Sequence, residues 1–423
     1  MLYLLLLVAV AGCGSSAPSP VADSGAARAP GSGSSSPAPI QIGSSPATPN
    51  PSDVATFARI ESQVEQLRSL SPKNPVTPVL LDPRALADEL TRINAAQTNH
   101  VAVADEGRLL IHLGLLPEGS NLEQLELALE SEQVVGFYDP TSKGLYVLAT
   151  GGGVGATEKA TFSHEYTHAL QDQNFGIDKL AIDTADQGDR DLARTALPEG
   201  DATLLMSLWS SKYLSALELI QMAAESLGGS QSGQLTGSPR ILRETLLFPY
   251  QDGLSFVESV YRTGGWSAVN ALYANPPDST SQILHPELYA AHVEPLAITV
   301  PAVPASLAGW QQTMQDTLGE LQLRIWLESE AASSGSQAPA SAVSSWAGDR
   351  VGLYEGPDGQ WVVLLHTAWR AAAGRDDFQQ AATAALSALG RPNRICGEPG
   401  RVDIAIGSSD AVLPAFLDCN TMG

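Results

Sequence analysis

Basic residues are scarce in this chain. Only 23 Lys and Arg stand against 46 Asp and Glu among 423 residues, a formal net charge of −23, and such a surface repels phosphate backbones and anionic headgroups alike. Nucleic acid is thereby set aside as a partner, and the acidity serves solubility. Long apolar runs are missing too: Leu2 to Ala11 is too short to span a bilayer as a helix. No internal repeat is found, and cysteine is limited to Cys13, Cys396 and Cys419, which excludes repeat arrays and disulfide-dense scaffolds. What is there is length and 43% hydrophobic residues, enough to bury a real core in one large or two ordinary domains.

The N-terminal apolar run closes on Val10-Ala11-Gly12-Cys13. This resembles the lipobox of bacterial lipoproteins, in which small residues precede a cysteine that is lipidated and becomes the mature N-terminus. The resemblance makes residues 1–12 a signal peptide and Cys13 the acylated residue. It departs from the usual pattern in having no Lys or Arg before the run. Residues 13–51 are mostly Ser, Pro, Gly and Ala, a composition that cannot bury enough surface to offset its ordering entropy. They read as a disordered tether, so the expected location is extracytoplasmic, lipid-anchored to the bacterial cell membrane.

Beyond the tether, apolar periodicity predicts helices over Val54 to Leu70, Pro83 to Ala95 and Leu115 to Leu129, an N-terminal helical region at 52–130. The runs Gln133 to Tyr138 and Leu145 to Leu148 flank the turn-forming residues 139–144 and predict a β-hairpin. After the glycine breaker at 151–155, one helix is expected over Ala156 to Phe175 and another, entered at Pro198, to about Leu227. Helices continue to Leu327, and 331–345 reads as a surface loop. The last region, 345–423, has paired strands Arg350 to Tyr354 and Gln360 to His366, then a helix Asp376 to Leu389. The expected class is α+β, mainly helical, with a core at 131–330. Cys396 and Cys419 can close a modest C-terminal loop as a structural disulfide, worth roughly 3 kcal/mol in the chain-entropy estimate.

The chemistry sits in Thr161-Phe162-Ser163-His164-Glu165-Tyr166-Thr167-His168. Histidines four apart lie one above the other on a helix face, so both imidazoles can reach one cation. Glu165 beside them can take a proton from water and hand it to a leaving amine, which is the work peptide hydrolysis requires. With seven histidines and 46 acids, chance yields on the order of 0.01 such triplets. A catalytic zinc site normally has three protein ligands. The third is sought in Ala196-Leu197-Pro198-Glu199-Gly200-Asp201: Pro198 suits the first position of a helix, which makes Glu199 a first-turn residue. The competing reading is that Glu199 and Asp201 only complement that helix's dipole.

His164-Glu165-x-x-His168 with a glutamate on a following helix resembles the gluzincin, thermolysin-like metallopeptidases. The Gly136 to Asp139 hairpin, the His164 to Gln173 block and Glu199-Gly200-Asp201-Ala202 are similar to a family of predicted bacterial metallopeptidase lipoproteins. The resemblance implies a zincin-like core with a β-hairpin before the motif helix. It also implies Zn2+ held by His164, His168 and Glu199, with Glu165 as catalytic base and a peptide or protein substrate. Thermolysin-like enzymes carry an aspartate four residues after the ligand glutamate; here position 203 is Thr, which leaves Asp201 to support a zinc-bound histidine.

In the thermolysin-like arrangement an edge strand binds extended substrate through its backbone, a role open to either hairpin strand; the hairpin can equally be structural. For the oxyanion, His285, Tyr289 and Tyr250 are the candidates. His100, His112, His292 and His366 have no partner motif. The alternative to a zinc peptidase is a non-catalytic surface-binding lipoprotein built on a metallopeptidase fold.

Overall fold

The computed structural model describes residues 5–6, 51–133, 135–148, 154–182, 184–228, 235, 237–334 and 340–419. Cys13, the tether expected at 13–51 up to residue 50, and all but Leu5 and Leu6 of the expected signal peptide lie outside the described residues. Those two form a short strand, β1 (Leu5–Leu6).

The first helix, α1 (Pro51–Arg68), is followed by β2 (Pro78–Leu81), α2 (Pro83–Gln97), α3 (His100–His112) and α4 (Leu122–Gln133). Side chains start three of these helices by satisfying otherwise orphaned backbone donors. The Asp82 carboxylate accepts from the Arg84 and Ala85 amides, Asn99 from Ala102, and Asn121 from Gln124. The expected helix Leu115 to Leu129 therefore begins at Leu122, after its cap, and runs on to Gln133, where a strand was expected.

The hairpin is β3 (Gly136–Asp139) and β4 (Gly144–Leu148). β4 also pairs in parallel with β2, and β1 pairs antiparallel with the outer edge of β3, Leu5 opposite Tyr138 and Leu6 opposite Phe137. Next come α5 (Ala156–Phe175), closed by Gly176 in the left-handed region, then α6 (Gly188–Tyr213) and α7 (Ala216–Gly228). The helix expected to start at Pro198 starts ten residues earlier. Pro198 is interior, where it deletes one ladder bond, and tertiary packing carries the helix through it.

A long helix, α8 (Arg240–Leu272), breaks at Gly265, whose φ of 59° is non-helical. Two short helices, α9 (Thr280–Leu284) and α10 (Pro286–Ala290), lead into the C-terminal part. There β5 (Gln311–Asp316), α11 (Gly319–Ser334), β6 (Trp346–Glu355), β7 (Trp361–Trp369), α12 (Ala372–Leu389), β8 (Asn393–Glu398), β9 (Arg401–Gly407) and α13 (Leu413–Phe416) follow. The strands make an antiparallel sheet in the order β5-β6-β7-β9-β8. Alternation serves both faces: Val363 and Leu365 join the main core with α11 and α12, while Val362 and Leu364 pack with Phe416 on the other side. Cys396 and Cys419 are joined as a disulfide, their Cα atoms 5.5 Å apart. The protein is α+β and mainly helical. Among the described residues no helix is long and apolar enough to cross a membrane.

Carboxylates stitch together α6, α9 and this C-terminal part. Asp316 accepts from the Gly188 amide at the start of α6, and Asp349 from the Leu318 and Gly319 amides at the start of α11. Asp189, 3% exposed, accepts from the amide and hydroxyl of Thr280. Burial pushes the Asp189 pKa up to about 8, with Asp349 and Glu320 adding repulsion against the Thr280 hydrogen bonds. A carboxyl with a raised folded-state pKa keeps its proton while the unfolded chain releases it, so stability falls as pH climbs from about 4 to about 8. Asp189→Asn removes that contribution. Its unfolding free energy, measured in urea, is expected to decline less than the parent's between about pH 5 and pH 8.5; parallel declines would show that Asp189 carries no such linkage.

Candidate metal centre

α5 is buried from Ala160 to Asp172, so its polar residues must find partners inside the protein. The Ser163 hydroxyl donates to the Ala160 carbonyl and the Thr167 hydroxyl to that of Ser163, both at 2.7 Å. On one face His164 and His168 stand ring edge to ring face, centroids 4.6 Å apart. Their Nε2 atoms are 3.0 Å from each other, and Glu199 Oε2 on α6 lies 3.1 Å from the first and 3.4 Å from the second. The three donors thus face a common point. Ligands about 2.0–2.1 Å from a tetrahedral zinc are about 3.4 Å apart, close to the edges of this triangle. The group can hold a metal ion.

Beside Glu199, α6 and α8 cross with their backbones in contact. A Cβ on Gly200 would lie 2.2 Å from the Gly253 carbonyl oxygen, and one on Gly253 would lie 2.4 Å from that of Ala196. Only glycine fits at either position. The same crossing brings Tyr250, one turn before Gly253, to His164, with ring centroids 6.2 Å apart. Glu165 is fully buried on the adjoining face, under β3: a Cβ on Gly136 would sit 3.7 Å from Glu165 Cγ.

Electrostatics tie the triad together. Burial drives the His164 pKa down, whereas at His168 the Glu199 carboxylate outweighs burial and holds the pKa up at about 9. Burial would raise the pKa of Glu199, but the two imidazoles pull it below its usual value. A cation entering here must displace a proton, so metal affinity falls as the solution is acidified.

Residues beyond the triad were not visible in the motif. Gln171 Oε1 lies 2.8 Å from His168 Nδ1, and its Nε2 donates to the Pro198 carbonyl. Asp201, expected to support a histidine, is instead gripped by Arg68 of α1 in two bonds of 2.8 and 2.9 Å and accepts from the Tyr273 hydroxyl. The reason is direction: two positions beyond Glu199 on a helix points away from Glu199's own face. Arg68 is itself sandwiched near Trp266 and Phe175. Of the oxyanion candidates, His285 is bonded to Glu320 and the Tyr289 hydroxyl donates to the Asn275 carbonyl; Tyr250 alone of the three has a described contact with the triad. Gln171 sits three residues after His168, a spacing that could have flagged it. Arg68 lies 133 residues from Asp201, with no local signal.

The profile of a family described as "Domain of unknown function (DUF8575)" matches residues 307–413, the part holding the C-terminal sheet and not the triad. No curated protein matches the chain. Among solved structures, a candidate hydrolase with a novel fold from Chloroflexus aurantiacus is similar at a TM-score of 0.37 and 18% identity, over 56% of this chain and 89% of that one. A likeness at that level carries no argument about this site.

Breaking the Arg68 pair tests how the α6 register is held. Arg68→Met keeps the bulk and strands a fully buried Asp201 carboxylate, and a loss of about 3–5 kcal/mol is expected in urea unfolding. A loss below about 1 kcal/mol would mean that Asp201 is not held as a buried ion pair.

Proposed function

We propose that the chain is a zinc-dependent metallohydrolase of the gluzincin, thermolysin-like kind, acting on peptide bonds at the outer face of a bacterial cytoplasmic membrane. The observation that carries this reading is the convergence of His164, His168 and Glu199 on one point with Glu165 buried alongside. Three donors with one position to spare is the pattern of a catalytic zinc, whereas structural zinc is usually closed by four protein ligands. Zinc held there supplies Lewis acidity and makes water acidic enough to lose a proton near neutral pH. Glu165 accepts that proton and delivers it to the leaving amine. The Tyr250 hydroxyl is the candidate donor to the oxygen on which negative charge develops. The outer edge of β3 offers backbone groups to an extended peptide; that β1 pairs along this edge supports a peptide as the ligand.

One observation favours a second reading. The triad and Glu165 are all 0–1% exposed, as in a metal site that only braces a surface-binding lipoprotein. The two separate by experiment. In the enzyme, Glu165→Gln retains one zinc per chain and cleaves a peptide library at least roughly 100-fold more slowly than the parent. Cleavage at the parental rate removes Glu165 as the base; no cleavage by the parent, with unfolding on chelation, favours the bracing role.

The location rests on the lipobox-like segment. Expressed in a bacterium, the parent is expected in the detergent phase after partitioning and Cys13→Ser in the aqueous phase. Identical partitioning would end the lipid-anchor reading.

A further inference from the structure

We propose that Gln171 is a positioning residue that sets the tautomer of His168 and fixes its distance from Glu199; this rests on the zinc reading above. Donor and acceptor logic leads to it. The Pro198 carbonyl can only accept, so the Gln171 NH2 faces it, at 3.0 Å. The amide oxygen is thereby turned to His168 Nδ1, at 2.8 Å. Because that oxygen can only accept, Nδ1 carries a proton, so it is the Nε2 proton that a cation displaces and the Nε2 lone pair that then faces Glu199 and His164. One planar amide, itself fully buried, therefore bridges a metal-ligand ring on α5 and the peptide unit immediately before the third ligand on α6.

The other imidazole is treated differently. His164 Nδ1 is buried with no hydrogen-bond partner among the described residues, and its ring is packed against His168 and Tyr250. Among the described residues, a side-chain hydrogen bond at Nδ1 is thus given to His168 and not to His164. The aspartate that thermolysin-like enzymes use four residues after their ligand glutamate is replaced here by Thr203. Gln171 orients a ligand from the motif helix itself.

Zinc affinity, measured by competition with a chromophoric chelator, tests the assignment without any activity assay. Gln171→Met preserves volume and removes both hydrogen bonds, and it is expected to bind zinc roughly 10–100-fold more weakly than the parent. Gln171→Glu retains an acceptor on Nδ1 and is expected to stay closer to the parent than to the Met variant. Gln173→Met breaks the bonds to residues 73 and 74 and is expected to lower the melting temperature while leaving zinc affinity unchanged. Parental affinity in Gln171→Met overturns the proposal, as does a Glu variant no better than Met. If circular dichroism shows the Met variant unfolded without metal, the Glu variant decides by the same criterion. A parent that takes up no zinc overturns this proposal together with the zinc reading; a parent that binds zinc beside an unaffected Gln171→Met overturns this one alone.

Discussion

Glu165, Glu199 and Asp201 are buried to 0–1% exposure around the contact of α5 with α6, and Arg68 is the guanidinium bonded there. An ionised group sealed from water without a counter-charge costs several kcal/mol, so the sum of charges in this interior constrains everything near it. Arg68 offsets Asp201. A proton on His168, whose pKa Glu199 holds up at about 9, offsets the Glu199 carboxylate. A divalent cation among His164, His168 and Glu199 takes the place of that proton. The same arithmetic explains why Asp201 is not free to serve a histidine: withdrawn from Arg68, it would leave a bare guanidinium in its place.

Charge balance of this kind holds only if the helices keep their spacing. The α6–α8 crossing at Gly200 and Gly253 allows backbone to meet backbone, which is closer than any pair of side chains permits. At the far end of α5, four consecutive polar residues fasten three different segments. Gln171 reaches α6, and Asp172 takes the Tyr138 hydroxyl and Lys143 of the hairpin. Gln173 and Asn174 bind the backbone of residues 71–74. The far end of the helix that carries the histidines is thereby tied down from several directions, and of these four residues it is Gln171 that is bonded to a triad ring.

Much of the centre was legible because it is local. His164, Glu165 and His168 are related by helix periodicity, and α5 forms over the residues that the pattern predicts. Glu199 could be picked out by its residue type and neighbours, but not its setting: Pro198 suits a helix start, yet the helix begins ten residues earlier, where most of residues 189–198 are buried against other elements. Arg68, Tyr273 and Gly253 were invisible, since each acts across 50 or more positions and none belongs to a motif. The C-terminal sheet shows the same division. The paired strands β6 and β7 were foreseen and β8 and β9 were not; β5, Gln311–Asp316, is polar and becomes a strand by pairing with β6.

Full burial of the triad has two physical consequences that pull in opposite directions. Away from water, every charge and dipole in the centre acts through a low dielectric, which strengthens both the hold on a cation and any proton transfer to Glu165. A substrate reaches such a centre only when some covering segment moves. The outer edge of β3 is where the two demands meet. Gly136 leaves the space above Glu165 clear of a side chain, and the next two residues, Phe137 and Tyr138, are the ones that pair with Leu6 and Leu5. An extended chain on that edge lies one or two residues along the strand from the carboxylate proposed to move the proton. Under the proposed lipoprotein reading residues 1–12 are removed, and the edge that β1 occupies can then take an extended peptide without opening the packed faces of α5 that hold the triad in place.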